Sequence, residues 1–249
     1  MSQQRVREEL ERGNPWYVGD QLAWSEKPGI RRIYENRRRF IQGCIDRARG
    51  RLGRPLRLLD LGCGDGYWLR QLSEIVDLEL WGIDSNPVRI ERARAAAPRA
   101  TLACAALEDL APSRAFDIIL LSQVIEHVPD DAALLRRISS LLVPEGTLVL
   151  VTTNEGCWLQ YRNFRDAEAR SRTDHVHFYR EAEITAKIRD ASFRIEAILR
   201  EPFYFFTDSL YYRLIASDWG FRLLEILTAI CPSQCTDYYF ECRKPTPPP

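Results

Sequence analysis

The sequence predicts an α/β fold built on a doubly wound, mostly parallel, seven-stranded sheet. Three observations carry that reading. The runs Leu58–Leu61, Leu80–Ile83 and Phe116–Leu121 are short and nearly continuous in apolar residues, as strands buried on both faces should be. Helix-compatible segments alternate with them as far as Thr153, the pattern of parallel strands joined by crossovers. The first run also ends in Asp60 and then in Gly62, Gly64 and Gly66, at the strand end where such sheets hold ligands. A chain of 249 residues is ample for one large core with additions. The formal net charge of zero offers no global field toward nucleic acid.

Met1–Arg12 is charged and reads as a loose or fraying helix. Asn14–Asp20 carries Trp16 and Tyr17, with Trp24 just beyond; aromatics in a polar loop serve as a flap over a site or as anchors onto a core. Residues 29–49 are helical, with Ile30, Ile33, Tyr34, Phe40, Ile41, Cys44 and Ile45 as the apolar positions. The other face carries Arg31, Arg32, Arg37, Arg38, Arg39, Arg47 and Arg49. It reads as a solvated face or as a dock for an anionic substrate, such as a phosphate-bearing lipid or sugar carrier.

After the first strand, glycines at alternate positions let the backbone turn sharply and approach a ligand closely. The helix from Tyr67 to Val76 then presents unpaired amides at its start. A dinucleotide loop would need a third glycine at position 67, which is Tyr67. Asp60 can orient the loop or accept from a ligand amine. The second strand ends in Asp84 and Ser85. Asp84 at a strand tip can accept from both hydroxyls of a ribose, and the bland alternative is that Asp84 or Ser85 caps the helix from Pro87 to Ala97. Spaced as Asp60-x-Gly62-Cys63-Gly64-x-Gly66 with Asp84 about twenty residues on, the stretch resembles motif I and its sequel in class I S-adenosylmethionine-dependent methyltransferases. Many of these close their pocket with the N-terminal segment, so the resemblance favours the flap.

A third strand, Ala100–Ala106, a fourth, Phe116–Ser122, a helix, Asp130–Leu142, a Pro144-Glu145-Gly146 turn and a fifth strand, Thr147–Thr153, complete the alternation. With Gln123-Val124-Ile125-Glu126-His127 after the fourth strand, the order is most similar to quinone-biosynthesis O-methyltransferases and allied small-molecule and cell-surface-glycan enzymes. The resemblance implies a Rossmann-like core and S-adenosyl-L-methionine as cofactor. It implies a binding set of Asp60, Gly62, Cys63, Gly64, Gly66, Asp84, Ser85, Ala106, Leu107 and Ser122. Ala106 stands where relatives often have an acid for the adenine amine, so backbone groups near Ala106 and Leu107, or Glu108, would take that part.

Glu126 and His127 are the candidate catalytic pair, since imidazole beside carboxylate can take a proton from a hydroxyl. Their bland alternative is to shape the loop. Some relatives bind a divalent metal through Glu-x-x-Glu-His; here Gln123 replaces the first carboxylate, a weaker ligand for a hard cation, and no metal is expected.

Residues 154–173 are long for a connection and read as an aromatic lid. His175 and His177 follow and share a face if extended, where both could join His127. A helix to Asp190 and strands Phe193–Arg200 and Asp237–Arg243 finish the sheet, the last running antiparallel beside the sixth by resemblance. The organisation expected is a helical cap over 1–50, a core over 51–200 and 233–244, an apolar insert over 203–232 and a disordered tail over 245–249. The insert could cap the site, pair two chains or rest on a bilayer. Seven scattered cysteines read as reduced thiols, which with a polar start and no bilayer-length apolar run suits a cytoplasmic protein, with peripheral membrane contact left open. The acceptor expected is a small or lipid-linked hydroxyl compound, a sugar or phenol, with no nucleic acid as partner. A non-catalytic binding protein of the same fold, or a nicotinamide-dependent oxidoreductase, stays as the alternative.

Overall fold

The computed structural model describes residues 3–106, 115–161 and 175–246. Among them, seven strands form one sheet in the order β3-β2-β1-β4-β5-β7-β6. The strands are β1 (Leu56–Leu61), β2 (Leu78–Asp84), β3 (Thr101–Cys104), β4 (Phe116–Ser122), β5 (Leu142–Thr153), β6 (Arg194–Arg200) and β7 (Asp237–Arg243). The first five pair in parallel, while β7 enters antiparallel between β5 and β6. The order reverses between β1 and β4, and it is at such a switch point that a ligand crevice opens.

The helices are α1 (Gln3–Glu11), α2 (Pro15–Val18), α3 (Gln21–Ser25), α4 (Pro28–Leu52), α5 (Tyr67–Leu72), α6 (Pro87–Ala96), α7 (Asp131–Leu141), α8 (Trp158–Tyr161), α9 (Glu181–Asp190), α10 (Asp208–Ile215) and α11 (Asp218–Ile230). α5 stops at Leu72, four residues short of the expected end. The expected Pro-Glu-Gly turn lies inside β5. There the register with β4 jumps from Phe116↔Leu142 to Ile118↔Thr147, and Glu145 takes a left-handed φ of 63°. This is a bulge that lets one strand replace a turn and a strand.

Both sheet faces are covered, as the unbroken apolar β4 requires. One face packs α7 and α9 through Leu134, Leu135, Ile138, Ile184 and Ile188. The other packs α4, α5 and α6 through Ile41, Ile45, Trp68, Leu69 and Ile90. Salt links from α4 and its exit reach buried acids on the strands: Arg47 to Glu241 and Arg54 to Asp117.

The apolar insert is not a detachable cap. Tyr211, Leu214, Ile215, Phe221 and Leu224 form a third cluster with Ile33 of α4 and with Cys157 and Leu159. Thr228 also accepts from the Phe203 amide at 2.7 Å. All seven cysteines are free thiols, in line with expectation. Among the described residues, no helix is long and apolar enough to cross a membrane.

Candidate functional site

The glycine loop is fastened to the end of β2. The amides of Gly62 and Cys63 both donate to the Ile83 carbonyl, at 2.8 and 3.0 Å, and the Gly64 amide donates to Asp84 Oδ2 at 2.9 Å. Gly62, Gly64 and Gly66 all have positive φ, near 83°, 53° and 80°, where a side chain is strained. A Cβ at Gly62 would collide with Val124, and one at Gly64 with the Gln21 carboxamide. Asp84 Oδ1 accepts from the Asn86 amide at 2.8 Å. Asp84 therefore ties the loop to the strand tip and does not cap the next helix; neither does Ser85. The cap of α6 is Asn86, whose side chain accepts from the Val88 and Arg89 amides.

Asp60 lies at the end of β1 with 1% of its surface exposed, and its Oδ2 has no hydrogen-bond partner. Burial, then the nearby Asp84 charge, pushes its carboxyl up to about 8. Burial likewise raises Asp84, against its hydrogen bonds from Asn86 and Gly64. Two carboxyls meet beside a backbone cradle, and a ligand amine or hydroxyl would relieve both. Cys63 is buried in the same loop, and burial pushes its thiol well up, so it lines the cradle without acting as a nucleophile. Ala106 is buried two residues beyond β3, and the Ala105 amide donates to the Asp84 carbonyl at 3.1 Å. Leu107 and Glu108 lie outside the described residues, as does most of the expected lid.

The N-terminal segment seats on this cradle. The Gln21 amide donates to Asp65 Oδ2 at 2.8 Å, and Asn86 donates to the Tyr17 carbonyl at 2.9 Å. Arg92 donates to the carbonyls of Val18 and Gly19 and lies 3.6 Å from buried Asp65. Backbone groups thus hold this segment against the glycine loop and α6. Its fasteners, Gln21, Asp65, Asn86 and Arg92, had no mark in the sequence.

At the tip of β4, Ser122 is followed by Gln123 with a φ of 56° and by Val124 against Gly62. A 3₁₀ turn, Ile125–His127, then buries Glu126 completely. Its Oε2 accepts from Thr152 Oγ1 at 3.2 Å, while its Oε1 has no partner. Burial raises the Glu126 carboxyl, with His127 and His175 pulling the other way. The Glu126 carbonyl accepts from the amides of Val176 and His177, which docks that segment. His175 consequently lies edge-on to His127, ring centres 4.8 Å apart, with Nδ1 3.3 Å from Glu155 Oε1. The ligand atoms of Glu126, His127 and His175 all lie within 4.8 Å of one another.

His177 does not join them. Its Nε2 lies 3.1 Å from the Pro129 carbonyl, and its ring stacks on Tyr179, which donates to Asp131 at 2.6 Å. The expected shared face fails because the two backbone bonds to Glu126 turn the chain between the histidines.

The arginines of α4 divide. Arg37 is not on a solvated face: it is clamped against Tyr34 and Tyr239 and makes a two-pronged bond to buried Glu201. It also donates to Asp237 Oδ2 at 3.2 Å, and Asp237 Oδ1 accepts from Gln123 at 2.9 Å. Burial, then the Glu201 charge, holds Asp237 well above the usual carboxylate range. Arg38 and Arg39 stay exposed and, with Arg31, Tyr34, Tyr67, Gln71 and the acids Glu26 and Glu35, line a cleft of about 300 Å³.

Residues 33–198 match the family model described as a methyltransferase domain. Over 103 residues the chain is 36% identical to a ubiquinone biosynthesis O-methyltransferase of Bradyrhizobium diazoefficiens. Over 104 residues it is 38% identical to a trans-aconitate 2-methyltransferase of Methylobacterium radiotolerans. These matches span 40% and 41% of this chain and 40% of each relative. A putative sarcosine dimethylglycine methyltransferase of Galdieria sulphuraria superposes with a TM-score of 0.63 at 14% identity, over 96% of this chain and 98% of that one. The N-methyltransferase NodS of Bradyrhizobium japonicum WM9, solved with S-adenosyl-l-homocysteine, gives 0.57 at 16% identity over 98% of both. At such identities the structures speak for the fold. The family match takes in the glycine loop, Asp84 and the Glu126–His127 turn, and the chain belongs to the class I S-adenosylmethionine-dependent methyltransferases.

Proposed function

We propose that the chain transfers a methyl group from S-adenosyl-L-methionine to a hydroxyl of a small acceptor. The observation that carries this is a juxtaposition: Val124 lies on the glycine cradle, and two residues further the same turn presents Glu126 and His127 beside His175. The cofactor supplies an electrophilic methyl on a sulfonium. Gly62, Cys63, Gly64 and Gly66 would hold its amino-acid end, Asp60 its ammonium and Asp84 the ribose hydroxyls, with Ala106 and Ser122 completing the binding set.

On the acceptor side, His127 or His175 takes the hydroxyl proton. Glu155 orients His175 through Nδ1, leaving Nε2 to face the acceptor. Placement supplies most of the rate, since methyl transfer needs donor and acceptor atoms about 3–3.5 Å apart and aligned. A phenol or quinol is the acceptor we favour, and a sugar carried on a lipid phosphate is the finer variant.

A second reading concerns a divalent cation. Glu126 Oε1 is buried and unpartnered, and two imidazoles stand within reach of it. Gln123 spends its amide on Asp237, so a third ligand would come from His175 and not from position 123. The test is a calorimetric titration with S-adenosylhomocysteine, then transfer of labelled methyl to a panel of catechols, quinols, sugar phosphates, carboxylates and amines. No cofactor binding would sink the proposal outright. Transfer confined to carboxylate or amine acceptors would sink the hydroxyl assignment. A manganese titration of the wild type and of Glu126→Gln decides the cation.

A further inference from the structure

Helix α11 is apolar on two opposite faces. Phe221 and Leu224 turn into the third cluster and Thr228 toward the Phe203 amide, while Trp219, Leu223, Ile226 and Ile230 turn outward. Three of these outward residues are largely bare: Trp219 is 67% exposed, Ile226 58% and Ile230 74%. Their spacing of four, three and four residues confines them to a stripe about 60° wide, at about 100° per residue. A helix covered by nothing on that side would carry polar residues there, as α4 does.

We propose that this stripe is the seam of a two-fold, antiparallel pairing with a second copy of the chain. The four–three–four spacing reads the same in both directions. An antiparallel copy therefore places Trp219 against Ile230 of the partner subunit and Leu223 against Ile226 of the partner subunit, each layer occurring twice. The stripe alone offers on the order of 500 Å² of apolar surface. That lies toward the upper end of the largest patch on an ordinary monomer, about 300–600 Å². Two copies together would cover about 1,000 Å², the low end for a specific interface. A lipid surface fits less well. Arg213 and Arg222 at the rim are offset by Asp208, Asp218 and Glu225, so no net positive collar meets anionic headgroups.

The test is the mass of the full chain in solution. Sedimentation velocity should give a dimer at about 50 µM that dissociates on dilution, as a modest interface does. Ile226→Glu, and the milder Leu223→Ser as a second variant, should be monomers with unchanged affinity for S-adenosylhomocysteine. A wild-type monomer at that concentration overturns the proposal, and so does a dimer that survives both substitutions. A monomer that floats with vesicles of phosphatidylcholine and phosphatidylglycerol would assign the stripe to lipid instead.

Discussion

Asp60→Asn would test the cradle while keeping its volume. Asp60 is buried with an unpartnered oxygen, and its carboxyl titrates at about 8 in the folded chain against 3.8 ordinarily. Between those two values the folded chain holds one more proton than the unfolded chain. Stability is therefore highest below about pH 4 and falls as pH rises toward 8, by about 1.4 kcal/mol per unit. Asparagine does not titrate and removes that slope. Between pH 5 and 7 the wild type should lose about 2–3 kcal/mol relative to the variant, or about 5–10 °C in midpoint for a chain of this size. Calorimetric melting at pH 5, 6, 7 and 8 reads this directly, and parallel curves would refute a protonated Asp60. The same proton reports on the cofactor. A ligand ammonium beside Asp60 favours the carboxylate, so binding at pH 7 should release a proton. Titration in two buffers of different ionisation enthalpy measures that release. In Asp60→Asn the release should vanish and affinity should fall.

Asp84→Ala should weaken cofactor binding by about 1.5–3 kcal/mol, the worth of a charged hydrogen-bond partner, and lower the melting point because it also frees the Gly64 and Asn86 amides. Unchanged calorimetric affinity would remove the ribose assignment. His127→Ala should cut turnover about 10²–10⁴-fold with cofactor affinity intact, and His175→Ala should do the same if the pair shares the proton. A normal rate in both, with a chelator also inert, would reject base and metal together. Gly64→Val should abolish cofactor binding and unseat the flap, read as faster tryptic cleavage at Arg12. Cleavage at the wild-type rate would show that the flap does not depend on the loop.

The sheet was legible because its signals are local. β4 and β7 match their expected bounds, β1, β2 and β6 differ only at their ends, and β5 also takes in the expected turn, since a doubly buried strand is written in its own apolar run. The cradle was legible for the same reason: positive φ at alternate positions leaves glycine as the unstrained choice, and Asp60 and Asp84 sit at fixed strand ends. Asp84's structural duty was not legible, because a carboxylate that takes a ribose and one that takes a loop amide look alike in sequence.

What stayed hidden is held together across the chain. Arg37, Glu201, Asp237 and Gln123 come from four distant segments, and each alone reads as a surface residue. Read within its helix, Arg37 belonged to a basic face. Only the return of β7 between β5 and β6 brings Asp237 beside Gln123 and gives that guanidinium two buried acids. The cost of burying these charges is offset because all four carboxylate oxygens of Glu201 and Asp237 accept from Arg37 or Gln123. The same chain of bonds holds Gln123 in its left-handed conformation, which costs about 1–2 kcal/mol, at the point where β4 turns Val124 onto the glycine loop and Glu126 toward His175. The insert belongs to this arrangement, because Glu201 precedes it and Tyr211 packs in the cluster beneath it. Its outer face points away from that cluster, so one segment both packs under α4 and presents the bare stripe of α11.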